Sequence, residues 1–200
     1  MDSIQEQVRS NPLSKDDSKE QFYRLTEQLG VKHTFDFDEA WEIGLEIRRR
    51  NTFREKISEL EHTLIKSPSG KTGENLGETN PVKHTFTDGC YIREIFNPAD
   101  ELVITKIHKK EHPFFLMKGE MSILTEEGIQ RIKAPYQGIT KPGTKRVIYT
   151  HEGCTFITVH PTDKKTVEEV EEEVVCTTYK DFPPELDVMT VLKQINLKEQ

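Results

Sequence analysis

Residues 103–119 read VITKIHKKEHPFFLMKG, and residues 139–149 read ITKPGTKRVIY. The first stretch is expected to form a strand, a kink and a second strand. Val103, Thr105 and Ile107 alternate with Ile104, Lys106 and His108, which sets Lys106 and His108 on one face. Pro113 lacks the N–H that a β-ladder needs, so a bend or strand edge is expected just after His112. Residues 114–117 are apolar and run into Lys118-Gly119, a turn. In the second stretch Lys141-Pro142-Gly143-Thr144 has turn chemistry, and residues 146–149 follow as a strand.

Working outward, the same rhythm of short strands and turns fills the region after Pro81. Strands are expected at 82–86, 91–96, 102–108, 114–117, 121–125, 129–133, 138–140, 146–150 and 155–160. Asp88-Gly89, Asn97-Pro98, Lys118-Gly119, Gly128, Pro142-Gly143 and Glu152-Gly153 punctuate them. Many short strands at this spacing mean a sandwich or barrel, here a double-sheet jelly roll, so the chain is expected to be mainly β.

The flanks read differently. Residues 1–15 are polar, and Asp16-Asp17-Ser18 offers a helix start before Phe22, Leu25 and Leu29. Asp38 caps a longer helical stretch with Trp41, Leu45, Phe53, Ile57, Leu60 and Leu64 on one stripe. Asn51-Thr52 is a point where this stretch is expected to break in two. Arg48-Arg49-Arg50 reads as the polar face of the helix. Residues 67–80 form a linker by composition. Its Gly-Lys-Thr lacks both the leading Gly and the strand that a phosphate loop requires. Residues 166–175 read as an acidic helix with one valine edge, and 186–197 as a last short helix. The expected division is therefore a helical N-terminal extension (1–66), the linker (67–80), the β domain (81–163) and an acidic helix with tail (164–200).

Composition narrows the function classes. The formal net charge of −7 argues against a nucleic-acid binder that works through bulk electrostatics. Cys90, Cys154 and Cys176 are odd in number and have no Cys-x-x-Cys spacing, which suggests free thiols rather than a zinc ribbon or disulfide frame. There is no apolar signal core at the N-terminus and no apolar run of membrane length. A cytoplasmic protein is expected, with neither nucleic acid nor membrane as partner. The apolar helical stripe needs cover, from the outer face of the later sheet or from a second copy of the chain, and a homodimer or larger assembly is expected.

The two opening stretches resemble the paired motifs of the cupin superfamily. That family's first motif carries a His-x-His pair, then a Glu, then a Gly seven residues after the Glu. Anchored on Gly119, the Glu position falls on His112, the second His on His108 and the first on Lys106. Anchored on Gly143, the His of the second motif falls on Arg146. The Gly that opens the first motif corresponds to Asp100, and the Asn that closes the second to Thr150. The resemblance covers residues 81–161 and implies a cupin-type double-stranded β-helix (jelly roll) with a helical N-terminal extension and a short helical C-terminal tail. The overall organisation also resembles single-cupin proteins of bacteriophage genomes, which implies a host-cytoplasm location.

In such a barrel Lys106, His108, His112 and Arg146 converge at one mouth. Two histidines, His108 and His112, are then metal candidates for Zn, Ni, Fe or Mn, with His84, His160 or a carboxylate completing the shell. Asp88, Glu94 and Glu111 are the carboxylates in reach along the chain. Lys106, Arg146 and Tyr149 are candidates for holding a small anionic ligand, because cations repel a metal and suit a carboxylate or phosphate. The alternative for the histidines is that they are ordinary strand residues. Three function classes follow: a small-molecule- or metal-binding barrel, a metal-dependent oxygenase or isomerase, and a structural protein that uses the barrel as scaffold. Binding of metal is expected to fade as pH falls through about 6.5, the ordinary histidine value.

Overall fold

The computed structural model describes residues 14–28, 36–70 and 74–186. The expected helix over 186–197 lies almost wholly outside these residues. Contacts divide the chain into two units, Met1–Ile47 and Arg48–Gln200.

The first unit contains α1 (Lys15–Gln28) and the start of α2 (Phe37–Ile65). Asp36 accepts the backbone N–H of Asp38 at 2.7 Å through its side chain, as a helix-start residue does. Within this unit Lys15 and Lys19 both pair with Asp38, and Phe37 stacks on Trp41 at 5.9 Å.

The second unit holds the rest of α2, a short α3 (Glu74–Thr79) and all the strands. α2 runs unbroken through Asn51-Thr52, contrary to the expected break; Thr52 bonds its hydroxyl back to the carbonyl of Arg48 and leaves the helix intact. The reading of Arg48-Arg49-Arg50 as a solvated face is also corrected. Arg48 and Arg49 are exposed, but Arg50 is 2% exposed and Arg54 9%. Their guanidinium groups meet the carboxylate of Glu126 at 3.1 and 2.8 Å, and Arg49 reaches the Glu126 carbonyl. Ile57, in the middle of the expected stripe, is buried, and Phe53, Leu60 and Leu64 are half-buried. Cover for this part of the stripe comes from the chain itself.

The strands are β1 (Val82–Thr87), β2 (Cys90–Asn97), β3 (Leu102–Ile104), β4 (Ile107–His108), β5 (His112–Lys118), β6 (Glu120–Thr125), β7 (Gly128–Lys133), β8 (Tyr136–Thr140), β9 (Val147–Thr150) and β10 (Cys154–Pro161). After β10 come α4 (Val167–Val174) and β11 (Val175–Cys176). A five-stranded sheet runs β1-β2-β10-β5-β8 and a four-stranded sheet β3-β9-β6-β7, while β11 pairs with β4. Every pairing is antiparallel. The chain crosses between sheets repeatedly, as a jelly roll requires.

Period-two alternation puts Ile95, Phe114, Leu116 and Phe156 from the first sheet against Met121, Ile123, Ile132 and Ile148 from the second, and together they form one core. The fold is thus mainly β, a double-sheet jelly roll with a helical N-terminal region. The backbone also keeps a left-handed turn at each position that the motif alignment assigns to a glycine. Asp100 has φ 61°, Gly119 φ 87° and Gly143 φ 82°. Aspartate tolerates this conformation better than most side chains do. At Gly119 a Cβ would stand 2.5 Å from the Gly153 carbonyl oxygen, so no larger residue fits.

Candidate functional site

The barrel interior is apolar at one end and polar at the other, and strand parity shows why. On β2 the inward positions are Tyr91, Arg93, Ile95 and Asn97; on β10 they are Cys154, Phe156, Thr158 and His160; on β5 they are His112, Phe114 and Leu116. Tyr91 lies opposite His160, and Arg93 opposite Thr158. The register of β10 on β5, with Thr158 opposite Phe114, carries His160 towards His112. His108 arrives from β4, its backbone fixed by hydrogen bonds to Thr144 (N to O, 3.1 Å) and from Gly143 (N to O, 2.8 Å).

Three imidazoles therefore meet. Ring centroids are 4.6 Å apart for His108–His112, 4.1 Å for His112–His160 and 6.3 Å for His108–His160. His112 is 2% exposed and His160 3%. His112 Nδ1 donates to the Lys110 carbonyl at 3.1 Å; a carbonyl only accepts, so Nδ1 carries the proton and Nε2 keeps its lone pair. His160 Nε2 bonds the Thr158 hydroxyl at 3.1 Å. His108 Nδ1, His112 Nε2 and His160 Nδ1 are buried without a hydrogen-bond partner. Burial holds all three rings neutral: it lowers His112 to about 4 and His160 to about 3, and takes His108 well below the ordinary value. The positive charge of Arg146 adds to the effect on His108 and His112.

Of the sequence candidates, His108 and His112 come together, and His160 joins them. His84 does not. It is exposed and shares a 2.6 Å hydrogen bond with Tyr91, whose ring stacks on His160. Arg146 is 3% exposed, donates to the Thr140 hydroxyl and lies 5.0 Å over the Phe114 ring. Lys106 is elsewhere, on the surface, paired with Glu171 at 2.8 Å. The expected strand over 102–108 breaks at Thr105-Lys106, so the alternation that tied Lys106 to His108 is lost. Tyr149 is also outside the pocket. Arg146, Ile148 and Thr150 are buried, which sends Tyr149 to the opposite face, where its hydroxyl donates to Asp100 at 2.9 Å. Asp88 and Glu111 are exposed, and Glu94 is half-buried.

Among the described residues no side-chain carboxylate joins the imidazoles, and no three His, Cys, Asp or Glu groups already stand as a ligand set. The chemistry of three imidazole donors is that of a transition-metal ligand set. A metal about 2.0–2.1 Å from each imidazole nitrogen stands about 3 Å from each ring centre. That allows centroid separations up to about 6 Å; the 4.6 Å His108–His112 and 4.1 Å His112–His160 separations lie within it, and the 6.3 Å His108–His160 separation lies just beyond. Neutral buried imidazoles with orphaned nitrogens are the form that a metal binds.

A second feature adjoins this end: a cavity of about 230 Å³ between the sheets. Phe114, Ile123, Tyr136 and Ile139 give it apolar walls, and Arg146, Arg50 and Lys141 give it cations.

No family profile matches the chain, and no curated protein matches it. Solved structures do show likeness. Ectoine synthase from P. lautus is similar at 14% identity and TM-score 0.40, over 52% of this chain and 80% of that one. A cupin superfamily protein from Desulfitobacterium hafniense is similar at 12% identity and TM-score 0.38, over 46% and 84%. A cupin-2 domain protein from Shewanella frigidimarina is similar at 12% and 0.35, over 40% and 78%. The jelly roll itself rests on the strand order and register of this chain.

Proposed function

We propose that the protein is a small-molecule-binding jelly roll whose polar end holds a divalent transition metal on His108, His112 and His160. The observation behind this reading is the meeting of three neutral imidazoles, His112 and His160 buried and His108 half-buried, each with a buried, unpartnered ring nitrogen. Three nitrogen donors leave further coordination positions for water or ligand, as in sites that do more than hold a fold together. The donor chemistry suits zinc, nickel, copper or iron rather than magnesium or calcium. Arg93 and Arg146 act on these rings as nearby positive charges, and no carboxylate ligand offsets the charge of the ion. Affinity is therefore weaker than in a site with a carboxylate ligand. The lowered histidine pKa values also move the acid limit of binding from about 6.5 down towards about 4.

Titration of chelator-treated protein with zinc or nickel by calorimetry tests this. One equivalent should bind at pH 7 and still bind at pH 5.5. His112→Ala and His160→Ala should each lower affinity at least tenfold, and His84→Ala should leave it unchanged. Equal affinity in wild type and His160→Ala would rule out the three-imidazole site.

A further inference from the structure

We infer that the interior cavity bounded by Phe114, Tyr136 and Arg146 is a binding site for a small monocarboxylate with an apolar body, anchored on the Arg146 guanidinium. This goes beyond the metal reading and does not depend on it.

A guanidinium taken out of water is costly unless it is paired. Arg146 is 3% exposed, lines the cavity and has no carboxylate partner among the described residues; the Thr140 hydroxyl is its side-chain acceptor. Burial lowers its pKa only to about 10, so it stays charged at neutral pH. The other cations of the cavity are spoken for. Arg50 meets Glu126 at 3.1 Å, and Lys141 meets Glu127 at 2.8 Å. Glu126 is shared with Arg54, which stands outside the lining, so the surroundings are net positive and Arg146 is the lining cation without a carboxylate. A single guanidinium without a carboxylate selects a monoanion. The planar fork of arginine fits a carboxylate with two parallel hydrogen bonds.

Shape supplies the rest. At about 30 Å³ per water, about 230 Å³ holds about eight waters, or a ligand of similar heavy-atom count. Ile123 and Phe114 are buried walls, while Gln130, Ile139 and Glu127 are exposed rim residues, which gives a ligand a way in from solvent. Gly138 keeps the wall open. A Cβ there would fall 2.6 Å from the Phe114 ring, so a larger residue would displace the ring that Arg146 covers.

Thermal shift and calorimetry on the full chain, stripped of metal, test the proposal with straight-chain carboxylates from acetate to hexanoate. The uncharged primary amides of the same lengths and inorganic phosphate serve as controls. Saturable binding should strengthen with chain length and then fall once the cavity is full. The amides should bind at least tenfold more weakly. Arg146→Met removes the charge while roughly keeping the apolar length, and should abolish carboxylate binding. Ile139→Trp narrows the rim at an exposed position and should weaken binding even if Arg146→Met fails to fold. Carboxylates and amides that bind alike, phosphate that binds in place of carboxylates, or an Ile139→Trp protein with wild-type affinity would each overturn the proposal. Metal-stripped protein keeps this result separate from the fate of the imidazole site.

Discussion

At the level of single residues, the buried histidines have a cost that can be measured. A base whose folded pKa lies below its unfolded value of about 6.5 holds fewer protons folded than unfolded at the pH values between them. Its contribution to stability is complete above about 6.5 and is lost as pH falls towards the folded values, about 4 for His112 and about 3 for His160. Arg93 and Arg146 face these rings and deepen the effect, while the Lys110 carbonyl opposes it at His112. For His112 the full loss is roughly 3 kcal/mol at most. Urea unfolding of metal-free protein should therefore show a marked fall in stability between pH 7.5 and pH 5. A His112→Gln/His160→Gln double variant should show a much flatter profile. A wild-type profile as flat as the variant's would mean that the rings are not held neutral. Arg146 shows how far residue types in order can be read. Its place in the second stretch marked it as a pocket residue, but its lack of a carboxylate partner depends on what faces it across the barrel.

At the level of elements, α4 and β11 close the polar end. Thr166 caps α4 in a reciprocal capping box with Glu169, and Val170 and Val174 bury against Tyr91. β11 then pairs with β4, placing Val175 opposite His108. Lys106–Glu171 and Lys110–Glu173 tie the helix to the rim, but both lysines are about half exposed and such pairs contribute little. The valines carry the attachment. Val170→Ala should cost about 1–3 kcal/mol in chemical denaturation, and the pair Lys106→Ala/Lys110→Ala about 1 kcal/mol or less. A larger loss from the lysine pair would reverse this assignment. The helix was readable from its valine spacing. Its seat over the histidines was not, because that depends on a strand pairing between positions 108 and 175 that no local pattern encodes.

For the whole molecule, the turn residues and alternation disclosed the jelly roll, since each short strand carries its own period-two pattern and its own Gly or Pro punctuation. The partner of His108 and His112 was harder to find. His160 belongs to β10, and its meeting with β5 follows from sheet order, which places β10 between β2 and β5. Parity also failed where a strand broke. Lys106 left the pocket at the gap between β3 and β4, and Tyr149 left it by standing an odd number of residues from Arg146. The helix α2 held a similar surprise, for an apolar stripe announced itself while the buried Arg50–Glu126–Arg54 cluster did not.

Binding of one metal by His108, His112 and His160 together is the proposal most directly open to test. X-ray absorption at the zinc edge, on protein loaded with one equivalent, counts the imidazoles directly. Three imidazole nitrogens should appear at about 2.0–2.1 Å, falling to two in His160→Ala. A first shell with one imidazole or none, or a spectrum unchanged by His160→Ala, would contradict it.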